Sequence, residues 1–293
     1  MYEKKVVLIT GASSGIGRAT ALYLADKGIK VYGTSRSGRG DDELKSKDIS
    51  MVAMDVTDDN SVKKAVREIS EKAGTIDVLI NNAGSGISGP LEETSMDEFK
   101  NLFEINFFGT VRVIDNILPI MRERRSGIII NTSSIGGIIG LPYQGVYSST
   151  KFAIEGYTEA LSKELNEFGI KVCMIQPGDF CTGFTKNRIF TKATDKNSPY
   201  YKSFAKTLVT FEHDENNGCN PEKIGKLIFN IIKSKHIKER YIVGYFFQKL
   251  SVMLKRILPG RIFEKIIISY YIKKGDLSEA ESKDIENRIN KIY

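Results

Sequence analysis

The chain alternates short apolar runs with longer stretches in which apolar residues return every three or four positions. Segments 6–10, 30–35, 51–54, 78–80, 128–132 and 171–175 read as strands. Most are continuously apolar, as strands covered on both faces are. The intervening stretches read as helices. The first carries Ile16, Ala19, Leu22, Tyr23 and Leu24 and stops at Gly28. The second is capped by Asp58 or Asp59 and buries Val62, Val66 and Ile69. The third opens on the capping box Ser95-Met-Asp-Glu98 and runs through Leu102 and Phe103. Further helices are predicted at 107–124, from Tyr147 to about 168, and at 221–234. Strands alternating with helices of ten or more residues predict an α/β fold, a doubly wound parallel sheet. No linker interrupts 1–245 and no repeat is visible. We expect one domain over 1–244, with a lid at about 183–220, and a helical extension over 245–293.

Ligands of such sheets bind beyond the carboxyl ends of the strands. Four polar or glycine-rich clusters fall there: Gly11–Gly17, Asn81–Gly84, Ser134 and Pro177-Gly178. The first follows a strand and opens a helix. Its glycines let the backbone turn sharply and approach a pyrophosphate at the helix N-terminus. Gly11, Ser13, Ser14, Gly15, Ile16 and Gly17 are the candidate contacts. The second strand ends in Ser35 and Arg36, with Arg39 following and no acid. An acid here suits the ribose hydroxyls of NAD, whereas a basic residue suits a 2′-phosphate. NADP(H) is therefore favoured over NAD(H). Asp55 and Val56 close the third strand, either against an adenine or as turn residues.

Tyr147 and Lys151 stand one helical turn apart, on one face of the predicted helix. A phenol titrates near ~10. A fixed cation within about 4–6 Å favours the phenolate. Ser134 lies thirteen residues before Tyr147, just past a strand end. A hydroxyl there that bonds the reacting oxygen completes an acid, its tuner and an orienter.

Taken together, Thr10-Gly-x-x-x-Gly-x-Gly17, Asn81-Asn-Ala-Gly84, Asn106, Ser134, Tyr147-x-x-x-Lys151 and Pro177-Gly178…Thr182 resemble the short-chain dehydrogenase/reductase superfamily, core subgroup. The resemblance spans residues 5–182 and implies a Rossmann-type oxidoreductase that moves hydride to or from a nicotinamide dinucleotide. By that resemblance Tyr147 is the general acid/base and Ser134 polarises the carbonyl, with Ser133 as its competitor. Lys151 grips the nicotinamide ribose and lowers the Tyr147 pKa. Asn106 positions a water that relays protons. Asn82, Ala83 and Gly84 lie against the adenosine ribose, and Pro177, Gly178, Phe180 and Thr182 bind the carboxamide. The 134–157 stretch is most similar to hydroxysteroid- and retinol-type members.

Composition adds limits. At 41% hydrophobic and 27% charged, the 293 residues suit a globular protein with a sizeable core. The net charge is +7, and Lys and Arg are scattered over the first 230 residues, so nucleic acid is not an expected partner. Cys173, Cys181 and Cys219 have no metal-type spacing, and there are two histidines, so no metal site is expected. No signal peptide and no membrane span are read, which favours a cytoplasmic setting. Phe184, Ile189, Phe190, Tyr200, Tyr201 and Phe204 make the lid aromatic, suited either to a steroid, retinoid or lipid or to lid packing. The segment 140–146 is expected to form a further pocket wall.

Residues 245–258 and 261–272 are apolar, basic and helically spaced around Pro259-Gly260. They suit a peripheral membrane contact, packing over the cleft, or a second subunit. The polar stretch 276–293 is expected to be a frayed helix. The favoured function is an NADP(H)-dependent oxidoreductase of a lipophilic alcohol, aldehyde or ketone. The alternatives are an NADP-binding sensor or scaffold without turnover, and a sugar-nucleotide epimerase or dehydratase, which the glycine spacing disfavours. Homo-oligomerisation remains open.

Overall fold

The buried apolar runs lie side by side in a computed structural model of the chain, which describes residues 5–183, 185, 188–272, 278, 284, 285 and 287. The strands are β1 (Val6–Ile9), β2 (Lys30–Ser35), β3 (Ser50–Ala53), β4 (Val78–Asn81), β5 (Ile87–Ser88), β6 (Gly127–Thr132), β7 (Ile170–Pro177), β8 (Ile189–Phe190) and β9 (Arg240–Val243). Seven form one parallel sheet in the order β3-β2-β1-β4-β6-β7-β9, and β5 pairs with β8 apart from it. The order reverses between β1 and β4, which are neighbours through Ile9 opposite Ile80. Their carboxyl ends therefore bound the crevice where such sheets hold ligands.

The helices are α1 (Gly15–Asp26), α2 (Asp42–Ser46), α3 (Asp59–Ala73), α4 (Met96–Phe103), α5 (Gly109–Glu123), α6 (Gly145–Glu164), α7 (Tyr201–Asn216), α8 (Glu222–Lys233), α9 (Phe246–Ile257) and α10 (Gly260–Tyr271). Successive β1 side chains point to opposite faces. Val7 and Ile9 pack with Leu24 of α1 and Ile224 and Ile228 of α8. Val6 and Leu8 pack with Val62 and Ile69 of α3, Val113 and Ile117 of α5 and Leu161 of α6. The capping box at Ser95 and the Asp58 cap form as expected.

Four local features depart from the sequence reading. α1 buries Leu24 with the small Gly17, Thr20 and Ala21, whereas Ile16, Leu22 and Tyr23 are only half-buried. Its close contact with α8 requires small residues: a Cβ on Gly225 would come 2.8 Å from Tyr23 Cβ. The helix expected at 107–124 begins with a π-helical turn, Glu104–Phe108, continuous with α4. Strand β9 was not anticipated, because its four half-buried residues carry no distinct pattern. Helices α2 and α7 were likewise unseen; α7 lies within the expected lid. Phe184 and most of 276–293 lie outside the described residues, although Ile285 is buried with Phe190, Phe204 and Leu208.

The extension packs on the sheet domain. Val252 of α9 and Phe263 of α10 are 1% and 2% exposed and meet Ile139 in the loop after β6. Burying two such side chains contributes about 1.5–3 kcal/mol each. No helix among the described residues is long and apolar enough to cross a membrane.

Candidate active site

The glycine loop is braced by the turn after β4. Thr10 Oγ1 accepts from the backbone N–H groups of Asn82 and Ala83, both at 2.9 Å. Asn82 Nδ2 donates to the carbonyls of Thr10 and Gly11 at 3.1 Å. Gly11 has φ +67°, and a Cβ there would come 2.9 Å from Ala83 Cα. At Gly17 a Cβ would meet the Gly11 carbonyl oxygen at 2.3 Å. Both positions therefore require glycine. α1 begins at this loop with Ser14 extended and uncapped by its side chain, and with no acid in its first turn.

Ser134 follows β6 with extended backbone. Its Oγ accepts from Gly136 N at 3.0 Å and hydrogen-bonds the Tyr147 hydroxyl. Tyr147 stands on the first turn of α6. Lys151, one turn on, is 6% exposed and donates through Nζ to the Thr132 carbonyl at 2.9 Å. That ammonium lies 5.7 Å from the centre of the Tyr147 ring. Ser133 also borders the cleft, but its Oγ is buried beside Gly137, where a Cβ would approach it to 2.6 Å. The hydroxyl that meets the phenol is thus that of Ser134.

Burial dominates the electrostatics. Desolvation raises the Tyr147 phenol to about 12 despite the Ser134 hydrogen bond. Lys151 is pushed down to about 8 by burial, with Glu155 opposing. Burial thus outweighs the lowering that a neighbouring cation is expected to give. At about 8 the Lys151 ammonium still keeps most of its charge at neutrality. Glu155 is held by Gln176 Nε2 at 2.9 Å and by Arg240 Nε of β9 at 3.3 Å.

Asn106 sits in the π-helical turn, 1% exposed. Its Oδ1 accepts from Ser85 N at 2.8 Å, and its Nδ2 donates to Ser85 O and Thr150 Oγ1, both at 3.0 Å. Thr150 Oγ1 also donates to the Tyr147 carbonyl at 2.7 Å. The Asn106 carbonyl accepts from Thr110 Oγ1 at 2.9 Å. A relay water at Asn106 would have to share acceptors already in use.

One cleft of about 770 Å³ brings many of the candidates together. Gly11, Ser13, Ser14, Gly15, Ile16, Asn82, Ala83, Gly84, Ser134, Tyr147, Lys151, Pro177, Gly178, Phe180 and Thr182 line it. Gly17 and Asn106 lie behind that lining. Ser35, Arg36, Asp55 and Val56 fall outside it, at the ends of β2 and β3. Asp55 Oδ1 accepts from Thr57 N at 3.0 Å and Thr57 Oγ1 at 2.7 Å, a local turn, and Arg36 beside it helps hold this carboxyl below its usual range. Val56 packs against Gly109 at the head of α5.

The far end of the cleft was only partly foreseen. The lid aromatics Phe190 and Phe204 pack with Tyr143 and Tyr201 instead of lining it. Leu141 and Gln144 represent the expected 140–146 wall. The apolar lining comes largely from the extension, through Leu250, Leu254, Ile266 and Ile267. Asp179, Asp214 and Glu215 give the same end an acidic rim. Asp179 is raised to about 7 by burial and by the neighbouring carboxylates, and accepts from Gln248 Nε2. Glu215 bonds Arg188 and Thr185. Nothing in the spacing of 179, 214 and 248 links them; only the fold brings them together.

This architecture and this Ser-Tyr-Lys constellation are those of a short-chain oxidoreductase. The family model described as short chain dehydrogenase matches residues 5–192, and the chain belongs to that family. It is 46% identical over 269 residues to a 3-ketodihydrosphingosine reductase of Bacteroides thetaiotaomicron, covering 92% of this chain and 98% of the relative. It is 34% identical to cattle retinol dehydrogenase 8, over 78% of each chain. A short-chain dehydrogenase from Streptomyces avermitilis superposes with TM-score 0.78 at 31% identity, over 94% of this chain and 99% of that one. ElxO with NADP bound gives TM-score 0.66 at 30% identity, over 82% and 96%. The retinol-type likeness read from 134–157 agrees with these relatives.

Proposed function

We propose that this chain is an NADP(H)-dependent reductase of a long-chain lipophilic ketone, with Tyr147 as proton donor. The observation that carries the reading is the meeting of Tyr147, Ser134 and Lys151 on one cleft wall, between the glycine loop and the apolar wall from α9 and α10. The residues present fit a nicotinamide dinucleotide. The first turn of α1 has N–H groups uncapped by Ser14, suited to a pyrophosphate. Ser35 and Arg36 would take a 2′-phosphate, and Asp55 and Val56 the adenine. Asn82, Ala83 and Gly84 would lie on the adenosine ribose. Lys151 has three donors, of which Thr132 O takes one; the others suit the nicotinamide ribose hydroxyls. Pro177, Gly178, Phe180 and Thr182 would hold the carboxamide. When bound, that cofactor supplies the hydride.

The remaining work falls to the protein. Ser134 Oγ–H donates to the substrate carbonyl oxygen, and Tyr147 transfers its proton to that oxygen as negative charge develops there. A phenol raised to about 12 stays protonated near neutrality, which favours reduction. Asn106 is a positioning residue: it holds Thr150, which holds the Tyr147 carbonyl.

The substrate class follows the 46% identical relative, named for 3-ketodihydrosphingosine. A ketone with a long alkyl chain suits Leu141, Leu250, Leu254, Ile266 and Ile267, and an ammonium beside its carbonyl suits Asp179 and Asp214. The test is NADPH oxidation with 3-ketodihydrosphingosine, with the same ketone lacking its amine, and with retinal. Turnover of small polar ketones alone, with all three inert, would reject the lipid reading. NADPH binding with no turnover of any carbonyl would favour the sensor alternative.

A further inference from the structure

The extension has an outer face that the cleft does not use. Among the described residues, fourteen large hydrophobic side chains are exposed, and nine of them lie within 245–270; Tyr245, Phe247, Ile266 and Tyr270 also line the cleft, whereas Phe246, Met253, Ile257, Ile262 and Ile268 do not. The other five are scattered singly, as on any soluble surface. Phe246 and Phe247 are 71% and 78% exposed, and Met253, Ile257 and Ile262 at least half. Contiguous exposed apolar surface of this kind marks an interaction site.

The charge on the two helices is nearly all positive. Lys249, Lys255, Arg256, Arg261 and Lys265 are all exposed, against the single acid Glu264. Among the described residues none of these five cations is ion-paired to a carboxylate. α9 and α10 have twelve residues each, too short to span a bilayer but long enough to lie along one. Their inner sides anchor through Val252 and Phe263 and line the cleft through Leu254 and Ile267. The outer patch is therefore continuous with the mouth of the substrate site.

We infer that the outer face of α9 and α10 docks on an anionic bilayer and opens the cleft toward it. Phe246, Met253 and Ile257 enter the acyl boundary, while Lys255, Arg256 and Arg261 meet the anionic headgroups. A lipid ketone then reaches Tyr147 without crossing water; this last step rests on the lipid reading of the cleft, whereas the docking does not.

The experiment is co-sedimentation of the full chain with vesicles of phosphatidylcholine alone or mixed with phosphatidylglycerol. Binding should rise at least tenfold with the anionic lipid and fall as salt is added. Phe246→Ser with Ile257→Ser, and separately Lys255→Glu with Arg256→Glu, should each lower the partition at least tenfold. Both double variants should keep wild-type turnover of a detergent-solubilised ketone, which also reports folding. Equal binding by wild type and both variants, or no binding to either vesicle, overturns the inference. So does a dimer that Phe246→Ser dissociates, which would assign the face to a second copy. Vesicle binding is read without substrate, so a failed reductase assay and a failed docking assay remain separate results.

Discussion

At the residue scale the site turns on how burial treats two ionisable groups. Tyr147 is held protonated by desolvation, so its loss should remove a proton donor and little else. Tyr147→Phe should lower kcat by roughly a thousandfold, within the range of general acid catalysis. NADPH affinity, read by fluorescence titration, should change less than about twofold. Lys151 gives a signature independent of turnover. Its pKa of about 8 in the folded chain lies below the usual lysine value. Between about 8 and 10.5 the unfolded chain binds this proton and the folded chain does not, so stability rises with pH across that window. Below it the buried charge costs on the order of 3 kcal/mol. Lys151→Met should be more stable than wild type near neutrality and lose the rise toward pH 10. Urea midpoints at both pH values check this, and a flat wild-type profile would contradict a desolvated ammonium. The Tyr147, Ser134 and Lys151 spacing was legible because a helical turn and a strand end are local geometry. The depressed lysine was not, because burial is decided by α6 packing on β6.

At the scale of elements, the carboxyl ends of the strands do the positioning. β1 and β4 place the glycine loop and the Asn82 turn in hydrogen-bond contact, through Thr10. The end of β2 presents Ser35 and Arg36 and no acid. Arg36→Asp should move the preference toward NAD(H) by about tenfold or more in kcat/KM, the order expected for losing a charge-assisted contact. An unchanged ratio would place the 2′-phosphate elsewhere. The motifs at these ends could be read from sequence because each glycine or asparagine satisfies a backbone demand within its own turn. β9 could not, because its four residues gain a role only beside β7. There Gly178 N donates to the Val243 carbonyl at 2.8 Å, and Arg240 reaches Glu155.

At the scale of the whole molecule, the extension closes the cleft. Phe263 packs, with Val252, against Ile139 in the loop after β6. Phe263→Ala should cost about 3 kcal/mol of docking, as large-to-small changes in well-packed sites do. The expected result is a KM for long-chain ketones raised several-fold, with kcat on a small soluble ketone close to wild type. Equal losses on both substrates would mean that the extension supports the Tyr147 wall rather than the lipid end.

By itself, the sequence determined the doubly wound α/β class, the glycine loop, the Ser134-Tyr147-Lys151 set and the family to which they belong. These rest on period, capping and spacing, which act within a turn or two of chain. It also marked 245–272 as apolar and basic. It left open which surface those helices meet, since amphipathic spacing records that a face is apolar and not what covers it. Only the tertiary structure decided that Val252 and Phe263 anchor the extension so that Leu254 and Ile267 line the cleft, that Asp179, Asp214 and Gln248 converge, and that the lid aromatics pack among themselves. Those outcomes depend on contacts between segments tens of residues apart, where packing and desolvation override local preference.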